Sequence, residues 1–137
     1  MQPLLLDTCA LIWIAEDETI SPQAVELLDA ANDAGVATFV SPISAWEVGL
    51  LVARERLRLL ITPQRWFRRV LETPGVRLAP MPAELLIDSS FLPGSPPRDP
   101  ADRIIAATAR DHGLTLLTRD RALIEYAEQG HLRVVEC

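Results

Sequence analysis

Short apolar runs alternate with longer stretches of helical spacing along the whole chain. QPLLLD is a continuous apolar run ending in Asp7, the pattern of a strand buried on both faces, and TCALIWIAE follows at helical spacing. Ser21 and Pro22 supply the cap and first turn of a second helix, which Gly35 closes ahead of the strand VATFVS. ISAWEVGLLVARE is a third helix. Thr62 and Pro63 repeat the start signal for QRWFRRVLE, and Pro74-Gly75 turns the chain into the short strand VRLA. AELLIDSSFL has helical spacing, and the Pro/Gly-dense PGSPPRDP is a loop too short to link domains. It leads into DPADRIIAATARDHG, a helix with Asp99 as cap, Pro100 in the first turn and Gly113 as stop. LTLLT, RDRALIEYAEQG and LRVVE complete the alternation. This order predicts an α/β fold, a central parallel β-sheet of about five strands flanked by helices, in one domain over residues 1–137.

Four carboxylates stand out against that pattern. Asp7 closes the first strand and Asp120 lies just past the fourth, so the two converge if those strands are neighbours in the sheet. Glu47 falls within the third helix, where Ile43, Ser44, Leu50 and Leu51 make a mostly apolar stripe around it. Asp102 occupies the first turn of its helix in line with Ile105, Ala106 and Ala109, while Arg103 and Arg110 take the opposite face. Each acid has a plainer alternative: Asp7 and Asp120 as helix caps, Asp102 as a partner of the helix dipole, Glu47 as half of a buried ion pair with an arginine. Together they imply either a cation or carboxyl groups held protonated, because a buried ionised carboxylate costs several kcal/mol unless it is compensated.

Composition narrows the chemistry. With 49% hydrophobic residues the chain has material for a core, yet no apolar run approaches the ~20 residues of a membrane span and no basic-then-apolar leader precedes the first strand, so a cytoplasmic protein is expected. Cys9 and Cys137 lack metal-ligand spacing; the expectation is a small core residue and a tail residue. The formal charge of −6 argues against a simple nucleic-acid binder unless several acids are gathered around a cation. All 13 basic residues are Arg, which excludes mechanisms that need a Schiff-base or phosphate-binding lysine. Oxygen donors without a His or Cys cluster favour Mg²⁺, a hard dication, over zinc.

LLLDTCALIW, SAWEVGLL, DPADRIIAATA and LLTRD, taken in order, span the chain and resemble the PIN-domain proteins, specifically the VapC-like toxins of bacterial toxin–antitoxin systems. The resemblance implies a metal-dependent endoribonuclease on a five-stranded parallel sheet, with Asp7, Glu47, Asp102 and Asp120 as the acidic quartet that holds Mg²⁺ or Mn²⁺ and carries out catalysis. Thr118 matches the family's small hydroxyl residue before the fourth acid, and the expected products are a 5′-phosphate and a 3′-hydroxyl. It further implies an RNA substrate, with transfer RNA one candidate, a VapB-like antitoxin and a homodimer.

Further residues are supporting candidates. Asp99 caps the helix of Asp102, and Arg98, Arg103 and Arg119 flank the acidic motifs, where they would hold substrate phosphates or simply be solvated. His112, at a helix C-terminus, and His131, in a short turn, are expected to be structural. Leu50, Leu51, Leu57, Leu59, Trp66 and Phe67 offer more apolar surface than one helical pair needs to cover a sheet, so Leu50, Leu51, Trp66 and Phe67 are candidates for an antitoxin groove, with ordinary core as the alternative. Two other functions share some of these residues. A silent phosphoacceptor or regulatory module would use Asp7 but lacks the expected lysine, and a phosphatase of small substrates would use the same acids.

Overall fold

A computed structural model describes all residues from Met1 to Cys137. Its five strands are β1 (Leu4–Leu6), β2 (Thr38–Val40), β3 (Val76–Leu78), β4 (Thr115–Thr118) and β5 (Arg133–Glu136). The seven helices are α1 (Thr8–Ala15), α2 (Pro22–Asp33), α3 (Pro42–Ala53), α4 (Pro63–Glu72), α5 (Ala83–Asp88), α6 (Pro100–His112) and α7 (Arg121–Glu128). Every strand pairing is parallel and the order is β3-β2-β1-β4-β5, so the α/β expectation is met with the expected five strands.

The central place of β1 explains its sequence. Leu4, Leu5 and Leu6 are all buried, because a middle strand of a parallel sheet has helices over both faces. The pleat divides them. Leu4 and Leu6 join Leu117 in one core with Ala10 and Leu11 of α1, Ala24 and Ala31 of α2, Val48 of α3, and Trp66 and Val70 of α4. Leu5 joins Leu116 in the other, packed by Ile105, Ala106 and Ala109 of α6 and Leu123 and Tyr126 of α7.

The start signals work as expected: Ser21, Thr62 and Asp99 accept hydrogen bonds from first-turn amides, and Gly113 ends α6 in the left-handed conformation, φ 62°. Two helices are shorter than their apolar spacing indicates. α3 stops at Ala53, where Glu55 turns the chain with φ 57°, and α5 stops at Asp88, where the Ser89 hydroxyl bonds back to the Leu86 carbonyl at 2.6 Å.

The apolar surplus around α3 and α4 is largely absorbed by the fold. Trp66 is only 7% exposed and belongs to the core, with Phe67 half-buried against it and their rings tilted at 6.4 Å, while Leu50 and Leu51 are half-buried. Trp66 therefore packs into the core, where α4 lays it over the sheet face, and its edge lines a surface depression with Leu60 and Ile61. The exposed large apolar side chains are others, among them Trp46, Leu60, Ile87 and Phe91. The cysteines reverse their expected places: Cys137 is buried in the core and Cys9 is exposed. No helix is long and apolar enough to cross a membrane.

Trp66→Ala should lower unfolding free energy by about 3–5 kcal/mol in a denaturant titration, whereas Leu60→Ala, at a fully exposed position, should change it by less than about 0.5 kcal/mol. Equal effects would return Trp66 to the surface.

Candidate acidic site at the carboxyl edge of the sheet

The chain runs from β1 outward through β2 to β3, then returns to place β4 on the other side of β1. Such a reversal leaves a crevice at the carboxyl ends of the two strands, the usual ligand position in open α/β sheets. Leu6 of β1 lies opposite Leu117 of β4, and the Asp7 amide extends the ladder to the Leu117 carbonyl at 3.1 Å. Asp7 and Asp120 therefore leave the sheet at adjacent strand ends.

Hydrogen bonds fix what each carboxylate can still do. Asp7 is 4% exposed; its Oδ1 accepts from the Ala10 amide at 2.7 Å, capping α1, and its Oδ2 accepts from the Thr118 hydroxyl. Thr118, fully buried, also accepts from the Asp120 amide at 3.0 Å, so one hydroxyl joins the two acids across the β1–β4 seam. Asp120 caps α7 through Oδ2 on the Leu123 amide at 3.0 Å and keeps Oδ1 unbonded. Glu47 takes the Thr8 hydroxyl on Oε1 and keeps Oε2 unbonded. Thr8 in turn lies 2.9 Å from the Ser44 hydroxyl; having donated its proton to Glu47, it accepts from Ser44. Asp102 has no side-chain partner at all, while Asp99 caps α6 on the Ala101 and Asp102 amides at 2.8 and 3.2 Å. The capping alternatives for Asp7 and Asp120 are thus real and leave lone pairs free. Glu47's ion-pair alternative is not: the molecule's two salt bridges, His112–Asp111 and Arg121–Glu125, involve none of the four acids.

Burial and mutual repulsion set the protonation. Asp102 is pushed up to about 7, first by desolvation and then by Asp120, Asp99, Glu47 and Asp7. Asp7 and Glu47 are also raised, chiefly by burial, against the lowering effect of Thr118 and Thr8. Cys9 opens to solvent on one side, yet desolvation and the same four acids push its thiol to about 11, which keeps it neutral. The four acids share one electrostatic neighbourhood, but no three of them close into a preformed metal cage. An all-oxygen donor set with unbonded oxygens fits a hard divalent ion that retains water and takes only one or two carboxylates directly.

The basic candidates fare differently. Arg119 lies 3.8 Å over the Trp13 ring and donates to the Cys137 and Thr19 carbonyls at 2.8 and 3.4 Å, so its guanidinium is occupied at the rim. Arg103 is half-buried rather than on an outer face and reaches the Ser89 carbonyl at 3.5 Å, because α5 packs alongside α6. Arg98 is exposed. Arg110 is exposed and donates to the His131 carbonyl at 2.7 Å; the His131 ring lies against Tyr126 at 5.2 Å, a structural role. Sequence reading missed Thr8 and Ser44. Their only signal was position, Thr8 directly after the strand-ending acid and Ser44 one turn before Glu47.

A family model described as the PIN domain matches residues 4–129. The chain belongs to the PIN-domain family. It is 36% identical over 124 residues to Ribonuclease VapC22 of Mycobacterium tuberculosis (strain ATCC 25618 / H37Rv), covering 90% of this chain and 91% of that protein. The fold is also similar to VapBC2 from Rickettsia felis, solved bound to a DNA fragment from their promoter: TM-score 0.69 and 14% identity over 98% of each chain. FitAcB from Neisseria gonorrhoeae gives a TM-score of 0.56 at 25% identity, covering 96% of this chain and 95% of that one.

The raised carboxyl of Asp102 fixes the sign of a pH effect. The unfolded chain releases this proton near 4 and the folded chain near 7, so in chelator the stability contributed by the proton is full below about pH 4 and lost as pH rises through about 7. Melting temperature in chelator should therefore fall from pH 5 to about pH 7.5, with a shallower fall in Asp102→Asn and a higher melting point for that variant at neutral pH. Superimposable wild-type and variant profiles would contradict the raised carboxyl of Asp102.

Proposed function

We propose that this chain is a divalent-metal-dependent endoribonuclease and the toxin of a toxin–antitoxin pair. The observation that carries the reading is the gathering of Asp7, Glu47, Asp102 and Asp120 at the β1–β4 switch point of a PIN domain that is 36% identical to a named ribonuclease. Asp7 and Asp102 are the direct ligands in this proposal: Asp7 because Thr118 and the Ala10 amide lock its geometry, Asp102 because its oxygens have no other partner. Mg²⁺ or Mn²⁺ bound there supplies Lewis acidity and positive charge for phosphodiester hydrolysis. Glu47, tied through Oε1 to Thr8, offers Oε2 to take a proton from the attacking water, and Asp120 orients that water through Oδ1. The Ser44–Thr8 pair holds the carboxylate of Glu47 in place as the proton arrives.

A VapB-like antitoxin is part of the same proposal, supported by the likeness to a structure named FitAcB, and a homodimer is proposed with it from the family resemblance. Leu50, Leu51 and Phe67, half-buried on α3 and α4, remain proposed contacts.

The deciding experiment is cleavage of a mixed RNA pool with Mg²⁺, with Mn²⁺ and with chelator, using wild type, Asp7→Asn and Asp102→Asn. Cleavage should require metal and fall by at least about 100-fold in both variants. Wild type that binds metal and hydrolyses a small phosphate ester while leaving every RNA intact would make the chain a phosphatase instead.

A further inference from the structure

The arginines are unevenly distributed in a way the acidic site does not explain. Residues 54–77 hold seven of the 13, Arg54, Arg56, Arg58, Arg65, Arg68, Arg69 and Arg77, against only Glu55 and Glu72, a local charge of +5 in a chain of −6. All seven are exposed. None forms an ion pair or donates a side-chain hydrogen bond, whereas Arg103, Arg110 and Arg119 elsewhere donate to backbone carbonyls and Arg121 pairs with Glu125.

Helix stability accounts for Arg69, in the last turn of α4, but not for Arg65. Arg65 lies in the first turn of α4, where the helix dipole disfavours a cation and where no acid is present. Arg65 with Arg68, and Arg65 with Arg69, are like charges at i,i+3 and i,i+4 spacing, each pair mildly destabilising in isolation. Trp66 and Val70 occupy the inward side of α4 and leave these guanidiniums facing solvent. A self-repelling cationic face is relieved by a polyanion.

We infer that the cationic face of residues 54–77, led by Arg65 and Arg68 of α4, is the track that holds the RNA phosphate backbone while the acidic edge cuts it. This rests on the nuclease reading above. An acidic edge repels a polyanionic substrate, so affinity has to come from elsewhere on the molecule, and this region holds seven of the nine exposed arginines without a partner, Arg98 and Arg133 being the other two. α3 joins the two: Glu47 is at the acidic edge, and Arg54 follows seven residues later, about 10 Å along the helix. Trp46, 60% exposed and next to Glu47, adds a face on which a base can stack beside the acidic edge.

The test is fluorescence anisotropy of a fluorescein-labelled oligouridylate titrated with the full chain in chelator over a range of salt, with cleavage of unlabelled RNA measured separately in Mg²⁺. Arg65→Gln/Arg68→Gln should make the slope of log affinity against log salt shallower by about 1.4 and weaken binding by about tenfold or more near 0.1 M salt. The charge-matched control Arg121→Gln/Arg133→Gln should keep the wild-type slope. Wild type without measurable binding, or two double variants with the same slope, would overturn the track. So would an unchanged RNA slope accompanied by lost binding to polyglutamate, which would assign the face to an acidic polypeptide. Binding with the expected slopes but no cleavage would sink the nuclease reading and leave the track standing.

Discussion

The parallel pairing of β1 with β4 confines like charge at one edge of the sheet, and much of the molecule is arranged around that confinement. Asp7 and Asp120 leave neighbouring strand ends, Glu47 enters from α3 and Asp102 from the start of α6. Burial raises Asp7, Glu47 and Asp102, and the neighbouring acids add to the rise, so the site without a cation is electrostatically strained. Hydroxyls and helix starts moderate it. Thr118 and Thr8 donate to Asp7 and Glu47, and Asp7, Asp99 and Asp120 each cap a helix whose N-terminal dipole favours negative charge.

These partners orient the acids as well as soften their repulsion. Thr118 binds an oxygen of Asp7 and the amide of Asp120 together, so a shift of β4 against β1 would disturb both. Thr8 and Ser44 tie α1 to α3 through Glu47 in the same manner. Asp102 stands apart as the acid without a partner, and it is the one lifted to about 7. A site of this kind trades stability for a readiness to accept positive charge, a common feature of functional sites.

Charge is separated on a larger scale too. Acids gather at the switch point, while unengaged arginines gather over residues 54–77, where α4 carries them outward and keeps Trp66 inward. The net charge of −6 therefore describes neither region.

Periodicity and caps were sufficient to locate all five strands and seven helices, because buried strands and amphipathic helices write their partners' geometry into local apolar spacing. The four acids were legible for the same reason: Asp7, Asp102 and Asp120 interrupt an apolar pattern next to a strand end or helix start, and Glu47 interrupts one within α3. Local spacing failed where competing interactions were close in strength. α3 and α5 end early, and Trp66 is core because of how α4 lies on the sheet, which composition does not express. The chain's sequence by itself determined the elements, the fold class and the candidate acids, all of which rest on contacts within a few residues. Only tertiary structure decided that β1 adjoins β4, that Thr8 and Thr118 hold Glu47 and Asp7, and that Arg119 is engaged while Arg65 and Arg68 are free. Those facts depend on contacts between residues 18 to 111 positions apart, for which one sequence carries no periodic signal.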